Sequence, residues 1–153
     1  MPGENHWMAR WSDRPYLYLT TTGRRTGRPH RIEIWFAAHE GRLYLLSGGG
    51  ERSDWVRNLQ VHPRVTVELG DETRVGVARV VQPDTEEDRL ARELLVAKYA
   101  TPTDPLNGWK RRSLPVAIDF PDEESRIIFE EQRTPSITRR KQGGDHAEAQ
   151  TRK

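Results

Sequence analysis

Between residues 16 and 82 the chain is broken at short intervals by glycine or proline, and the segments between the breaks are β-branched or aromatic. That spacing suits strands joined by tight turns and leaves little room for long helices. Residues 16–22 (YLYLTTT) begin after Pro15 and stop at Gly23, as a strand does. Residues 30–38 place Ile32, Ile34 and Phe36 on one face and Arg31, Glu33 and Trp35 on the other, so one half-buried strand is expected. His39, Glu40 and Gly41 make a hairpin loop, and residues 42–47 (RLYLLS) return as a third strand before Gly48, Gly49 and Gly50. Residues 64–69 and 73–82, joined by Gly70 and Asp71, read as a second antiparallel hairpin.

Helices enter at two places. Ser53 and Asp54 offer N-cap chemistry for a short helix over 54–61, ended by Pro63, with Trp55 and Leu59 on one face. Asp84 and Glu87 have capping-box spacing and open a helix through Tyr99, with Leu90, Leu94 and Ala97 on its buried stripe. After a proline-containing loop, residues 114–120 turn Leu114, Val116, Ile118 and Phe120 inward as a closing strand, and residues 126–131 could be a helix or one more strand. The expected fold class is mainly β within α+β: an antiparallel barrel of about six strands with inserted helices.

Charge divides the chain. The formal net charge is +2, but residues 133–153 alone carry +4, which leaves the preceding part at −2. A basic tail that cannot bury enough surface to offset chain entropy is expected to be disordered, and the domain itself is not basic enough to read as a nucleic-acid module. The expected organisation is an extension over 1–14, a domain over 15–132 and the tail over 133–153. No cysteine is present, so thiolate chemistry and disulfides are excluded. The apolar runs are far shorter than the roughly 20 residues that cross a bilayer, and the acidic, polar start does not resemble a secretory signal. A cytoplasmic protein with no membrane span is expected. The five histidines have no metal-ligand spacing, and no metal site is expected.

Two stretches can carry chemistry. Residues 23–31 (GRRTGRPHR) hold Arg24, Arg25, Arg28 and Arg31 with His30 and no acid. Guanidinium groups on a glycine-containing loop suit an anion with several oxygens, phosphate above all, although a solvated basic loop has the same composition. Residues 47–58 (SGGGERSDWVRN) join a strand end to a helix start, where glycines let backbone amides approach a flat or charged ligand. Taken singly, Trp55 reads as a core anchor and Asn58 as a surface or cap residue.

The run YLTTTGRRTGRPHRIEIWFAAHEGRLYLLSGGG, followed by DWVRNLQVHPRVTVELG, resembles the deazaflavin-dependent nitroreductase and quinone-reductase family. The resemblance is close from Tyr16 to Gly70 and looser on to Phe120, where SLPVAIDF looks like the family's closing strand. It implies a split β-barrel, the deazaflavin coenzyme F-420, and hydride transfer to a small-molecule acceptor: a quinone, nitroaromatic or enone. By position it implies that Arg24, Arg25, Thr26 and Gly27, with His30 and Arg31, border the coenzyme phosphate. Ser47, Gly48 and Gly49 are implied to lie along the coenzyme, Trp55 and Asn58 match the family's WxxN, and Tyr99 and Trp109 fall where substrate-facing aromatics are found. The chain departs from the family's pattern at His30, at Glu33 with Ile34, and at Gly48, which removes positive charge and adds a carboxylate. Relatives in the wider superfamily use FMN, and dimers occur among them. An FMN-, haem- or lipid-binding barrel without F-420 activity is therefore the alternative, and a homodimer a further expectation.

Overall fold

The computed structural model describes residues 6–121, and the expectations for 126–131 and 133–153 lie outside them. The elements are α1 (His6–Ala9), β1 (Leu17–Thr22), β2 (Pro29–Ile34), β3 (Ala37–His39), β4 (Arg42–Ser47), α2 (Asp54–Val61), β5 (Arg64–Leu69), β6 (Glu72–Val80), α3 (Glu86–Tyr99), α4 (Asn107–Arg112) and β7 (Leu114–Asp119). A 3-10 turn, Gly50–Arg52, precedes α2.

The seven strands form one antiparallel sheet in the order β2-β1-β5-β6-β7-β4-β3. Its two edges, β2 and β3, are consecutive in the chain and separated only by Trp35 and Phe36. Two residues span well under 10 Å, so the sheet must curl until its edges nearly meet. This is the barrel expected from the sequence, with seven strands rather than six because residues 30–38 divide into two.

Alternation places Leu17, Leu19, Leu43, Leu45, Val65, Val67, Val116 and Ile118 inside the barrel, with Phe36, Leu59 and Val56. Ile32, Ile34, Leu114 and Phe120 pack against this cluster as their spacing predicts. Trp7 and Met8 of α1 are buried in the same core, and Trp7 meets Phe120 edge-on at 5.4 Å. The first residues described therefore form part of the barrel filling.

A second cluster lies outside the sheet, where α3 covers Ala37, Tyr44, Leu46 and Ala117. The helix begins one residue later than its expected cap: Thr85 Oγ1 accepts from the Asp88 N–H (3.1 Å). The most buried positions are accordingly Asp88, Ala91 and Leu95, whereas Leu90 and Leu94 are half-buried and Ala97 is exposed. Glu87, released from capping, bonds to Arg79 through both carboxylate oxygens (2.9 Å each) and accepts from Tyr44 Oη (2.8 Å). Asp119 joins this group through Arg79 and Arg42. Hydrogen bonds from Arg79 hold the Glu87 carboxyl at about 2, and the bonds to Glu87 and Asp119 raise the already high value of the arginine. The ionic cluster thus pins α3 to β4, β6 and β7.

The short helix α4 was not anticipated. Arg92 of α3 builds it by donating to the carbonyls of Lys110, Arg111 and Ser113, the acceptors that end the helix, while its Nε bonds Asp88 Oδ1 (3.1 Å).

Candidate functional site

The basic loop between β1 and β2 is a closed turn. The Gly23 N–H donates to Arg28 O (2.7 Å), the Gly27 N–H to Gly23 O (2.9 Å) and the Arg28 N–H to Thr26 Oγ1 (3.1 Å). Gly27 has φ +76°, which favours glycine there. His30 and Thr26 crowd Gly23 so closely that a β-carbon would collide with both. These bonds leave the amides of Arg25 and Thr26, and the guanidinium groups of Arg25 and Arg28, with no partner among the described residues. All three side chains are exposed.

Arg24 and Asn58 moor the loop to α2. Asn58 Oδ1 accepts from the Arg24 N–H (3.1 Å) and from Arg24 Nη1 (2.9 Å), while its Nδ2 donates to Thr21 Oγ1 (3.1 Å). Asn58 is 2% exposed and Thr21 1%. Arg24 also reaches the exposed Asp54 (3.2 Å). In this geometry Asn58 and Arg24 support the loop and leave the free donors to Arg25 and Arg28. Trp55, half-buried, packs against the barrel core. Arg31 points elsewhere, making two 3.0 Å bonds to Glu68 and lying 3.9 Å from the Tyr18 ring centroid.

Helix α2, which the loop touches at Asp54 and Asn58, is joined at its start to the glycine turn. The buried Ser47 hydroxyl donates to Gly50 O (3.0 Å) and pairs with Ser53 Oγ (2.8 Å). Ser53 therefore ties the turn to the helix instead of capping it with its side chain, although it occupies the N-cap position. Gly49 is packed so tightly against Ser53 Oγ that a β-carbon would not fit. At Gly48 a β-carbon would have room, 3.6 Å from the Trp109 indole, so a longer side chain there would meet the ring.

Trp109 belongs to an aromatic group that the fold assembles from three places. Trp35, in the link between the sheet edges, stacks on Tyr99 with centroids 4.2 Å apart and planes 2° from parallel. Trp109 meets Trp35 edge-on at 5.5 Å and 82°. Trp35 nevertheless stays 41% exposed, and the Trp109 indole that it meets is the one that lies against Gly48. The Tyr99 hydroxyl sits between Pro15 O (2.9 Å) and Phe36 O (3.1 Å) and accepts from the Phe36 N–H (3.1 Å). Burial pushes the phenol up to about 12, so it keeps its proton and acts as a fixed platform. Sequence reasoning named Tyr99 and Trp109 but missed Trp35 and Lys98. The available signal was a large aromatic on the outward face of a strand, where exposure is unusual.

A phosphate-bearing, flat-ringed coenzyme fits this donor set. The loop offers two unpaired guanidinium groups and two unpaired amides for an anion, and the glycine turn beside the indoles offers an apolar surface for a ring. Among the described residues no group of acidic or histidine side chains could hold a metal, and no helix is long and apolar enough to cross a membrane.

A curled antiparallel sheet of seven strands with inserted helices defines a split barrel, and here it carries a loop of unengaged donors and a separate, partly exposed aromatic group. Over residues 4–121 the chain matches the F-420H(2)-dependent quinone reductase family, and it belongs to that family. It is thus an oxidoreductase of the F-420-dependent type. Solved structures share the fold. An F-420-H2 dependent reductase is 24% identical, covering 69% of this chain and 95% of its own, with a TM-score of 0.58. The haem storage protein HutZ of Vibrio cholerae is 19% identical over 74% of this chain and 87% of its own, with a TM-score of 0.60. A chain described as a domain-swapped dimer is 25% identical over 70% and 81%, with a TM-score of 0.57.

Proposed function

We propose that this chain binds reduced coenzyme F-420 with its phosphate on the loop of Arg25, Thr26, Gly27 and Arg28, and that it reduces a quinone, nitroaromatic or enone sheltered by Trp35, Tyr99 and Trp109. The observation that carries the reading is the set of unpaired donors on a loop whose other polar groups are already bonded. A rigid loop loses little freedom when an anion arrives, so its donors bind without first being ordered. When bound, the reduced deazaflavin supplies the hydride.

The protein's own part is placement. Arg24 and Asn58 fix the loop on α2, and Ser47 and Ser53 fix the glycine turn on the same helix, so anion and ring positions are set by one rigid element. Gly48 and Gly49 border the ring position. The aromatic group offers an electron-poor planar acceptor a stacking surface and excludes water from one side of it. Tyr99, whose proton is retained to about pH 12 and shared with two carbonyls, orients rather than protonates. The family membership favours F-420 over FMN, and over haem, for which likeness of fold to a haem storage protein is the only support. A cytoplasmic location and a homodimer accord with this reading.

The test is steady-state oxidation of reduced F-420 by menadione and by a nitroaromatic. Arg25→Ala and Arg28→Ala should each raise the coenzyme KM about tenfold, as loss of a charged hydrogen bond does. Arg89→Ala, an exposed arginine on α3 with no bond to the loop, should leave it unchanged. Equal effects at all three positions, or no turnover with either acceptor, would count against the assignment.

A further inference from the structure

The break between β2 and β3 leaves the backbone of Phe36 without a strand partner. Two consecutive residues at the end of α3 take over. Tyr99 Oη receives the Phe36 N–H and shares its proton with Phe36 O, and Lys98 Nζ donates to the same carbonyl at 3.0 Å. The Lys98 amine also lies 3.6 Å from the centroid of the fully buried Phe36 ring and 5.1 Å from that of Tyr99. Among the described residues no carboxylate pairs with it. A cation held by one carbonyl and one aromatic face is bound by the peptide it orders. Trp35 is the residue immediately before that peptide, and its indole stacks on the residue immediately after Lys98.

We propose that Lys98 is a positioning residue for the acceptor: its ammonium group, by holding the carbonyl and ring of Phe36, fixes Trp35 against Tyr99 and so sets the geometry of the aromatic niche. This rests on the reading of that niche as the acceptor site.

The device is sensitive to pH in a direction that separates it from simple stability. Burial pushes the amine down to about 8, and the charge of Asp13 in the N-terminal segment opposes this. Tyr99, its titratable neighbour on α3, stays neutral, and the link from β2 to β3 presents only backbone and rings. As pH rises through about 8 the folded protein loses this charge, and the hold on Phe36 weakens. The unfolded chain still binds that proton up to its ordinary value, so this group makes the fold more stable, not less, as pH rises from about 8 toward 10.5. Acceptor affinity and stability therefore move in opposite directions.

The experiment measures the menadione KM and kcat of the full chain from pH 6.5 to 9.5, together with the near-ultraviolet circular dichroism of the coenzyme-free protein, which reports the Trp35–Tyr99 stack. Wild type should show KM rising about fivefold with a midpoint near pH 8, kcat steady, and a dichroism change with the same midpoint. Lys98→Arg, which keeps its charge, should hold the low KM and the stacked signal throughout. Lys98→Met should show the high KM and the weakened signal at every pH, with far-ultraviolet dichroism unchanged. Titration of the coenzyme is common to all three proteins and cancels in the comparison. A wild-type profile retained by Lys98→Met, or a midpoint retained by Lys98→Arg, overturns the proposal. Should the chain reduce no acceptor, the dichroism alone decides whether Lys98 orders Trp35, so failure of the reductase reading is seen separately.

Discussion

Removal of the Asn58 side chain should cost the protein far more than an exposed loop contact would suggest. Asn58→Ala deletes two bonds accepted from Arg24, one of them from its guanidinium, and one donated to Thr21. Arg24 can turn part of its side chain to water, being 20% exposed, but Thr21 Oγ1 is enclosed and would be left unpaired. A charged bond is worth about 1.5–3 kcal/mol and a stranded buried hydroxyl costs about 1–3 kcal/mol. Because the three bonds share one residue they do not add fully, and a loss of about 3 kcal/mol is expected. Urea unfolding followed by tryptophan fluorescence should show the midpoint falling by roughly 1.5–2 M, with the slope unchanged. Asn58→Asp should recover more than half of the loss at pH 7, since a carboxylate accepts from Arg24 and Thr21 can rotate its hydroxyl to donate. A loss below about 1 kcal/mol for Asn58→Ala, or an aspartate no better than alanine, would refute the view that this residue moors the loop.

Two further outcomes are expected from the same packing. Glu87 titrates near 2 instead of in the ordinary carboxylate range, so its contribution is fully present above about pH 4.5 and is lost as pH falls toward 2. Glu87→Gln should cost about 2 kcal/mol at pH 7 and flatten the acid limb of stability, so that mutant and wild type converge near pH 2 in acid-unfolding curves; parallel curves would contradict this. Gly70 has φ +60° in the turn from β5 to β6, and a β-carbon on it would overlap the Trp11 indole, over which Arg10 and Arg14 lie at 5.6 and 5.0 Å. Gly70→Ala should destabilise the protein by about 2–3 kcal/mol and shift its fluorescence to the red as Trp11 is displaced, whereas an unchanged spectrum and melting temperature would show that the indole has another seat.

Where bonding is local, the sequence carried the structure. The expected segments 42–47, 54–61 and 64–69 coincide with β4, α2 and β5, because glycines at 41, 48 and 70 and Pro63 bound them, although the expected side-chain cap at Ser53 does not form. The hairpin turn at Glu40 and Gly41 has positive φ at both positions, as a two-residue connection needs. The division of residues 30–38 was hidden because alternation runs on without interruption through Phe36; what breaks the strand is Tyr99 and Lys98, more than sixty residues away. Helix α4 was hidden for a similar reason, since its closing bonds come from Arg92. At the site, the chemistry of residues 23–31 could be read from composition, but not the division of labour within it. Only the contacts of Asn58, thirty-four residues on, and Glu68 show that Arg24 and Arg31 are engaged while Arg25 and Arg28 have no partner among the described residues.

Binding of coenzyme is the most direct measurement. Purified protein titrated with F-420 and, in parallel, with FMN, followed by tryptophan quenching and coenzyme fluorescence, should bind F-420 saturably at micromolar or lower concentration. That binding should weaken in Arg25→Ala and in Arg28→Ala. Saturable binding of FMN with none of F-420, or F-420 affinity untouched by both substitutions, would contradict the placement of the coenzyme on the arginine loop.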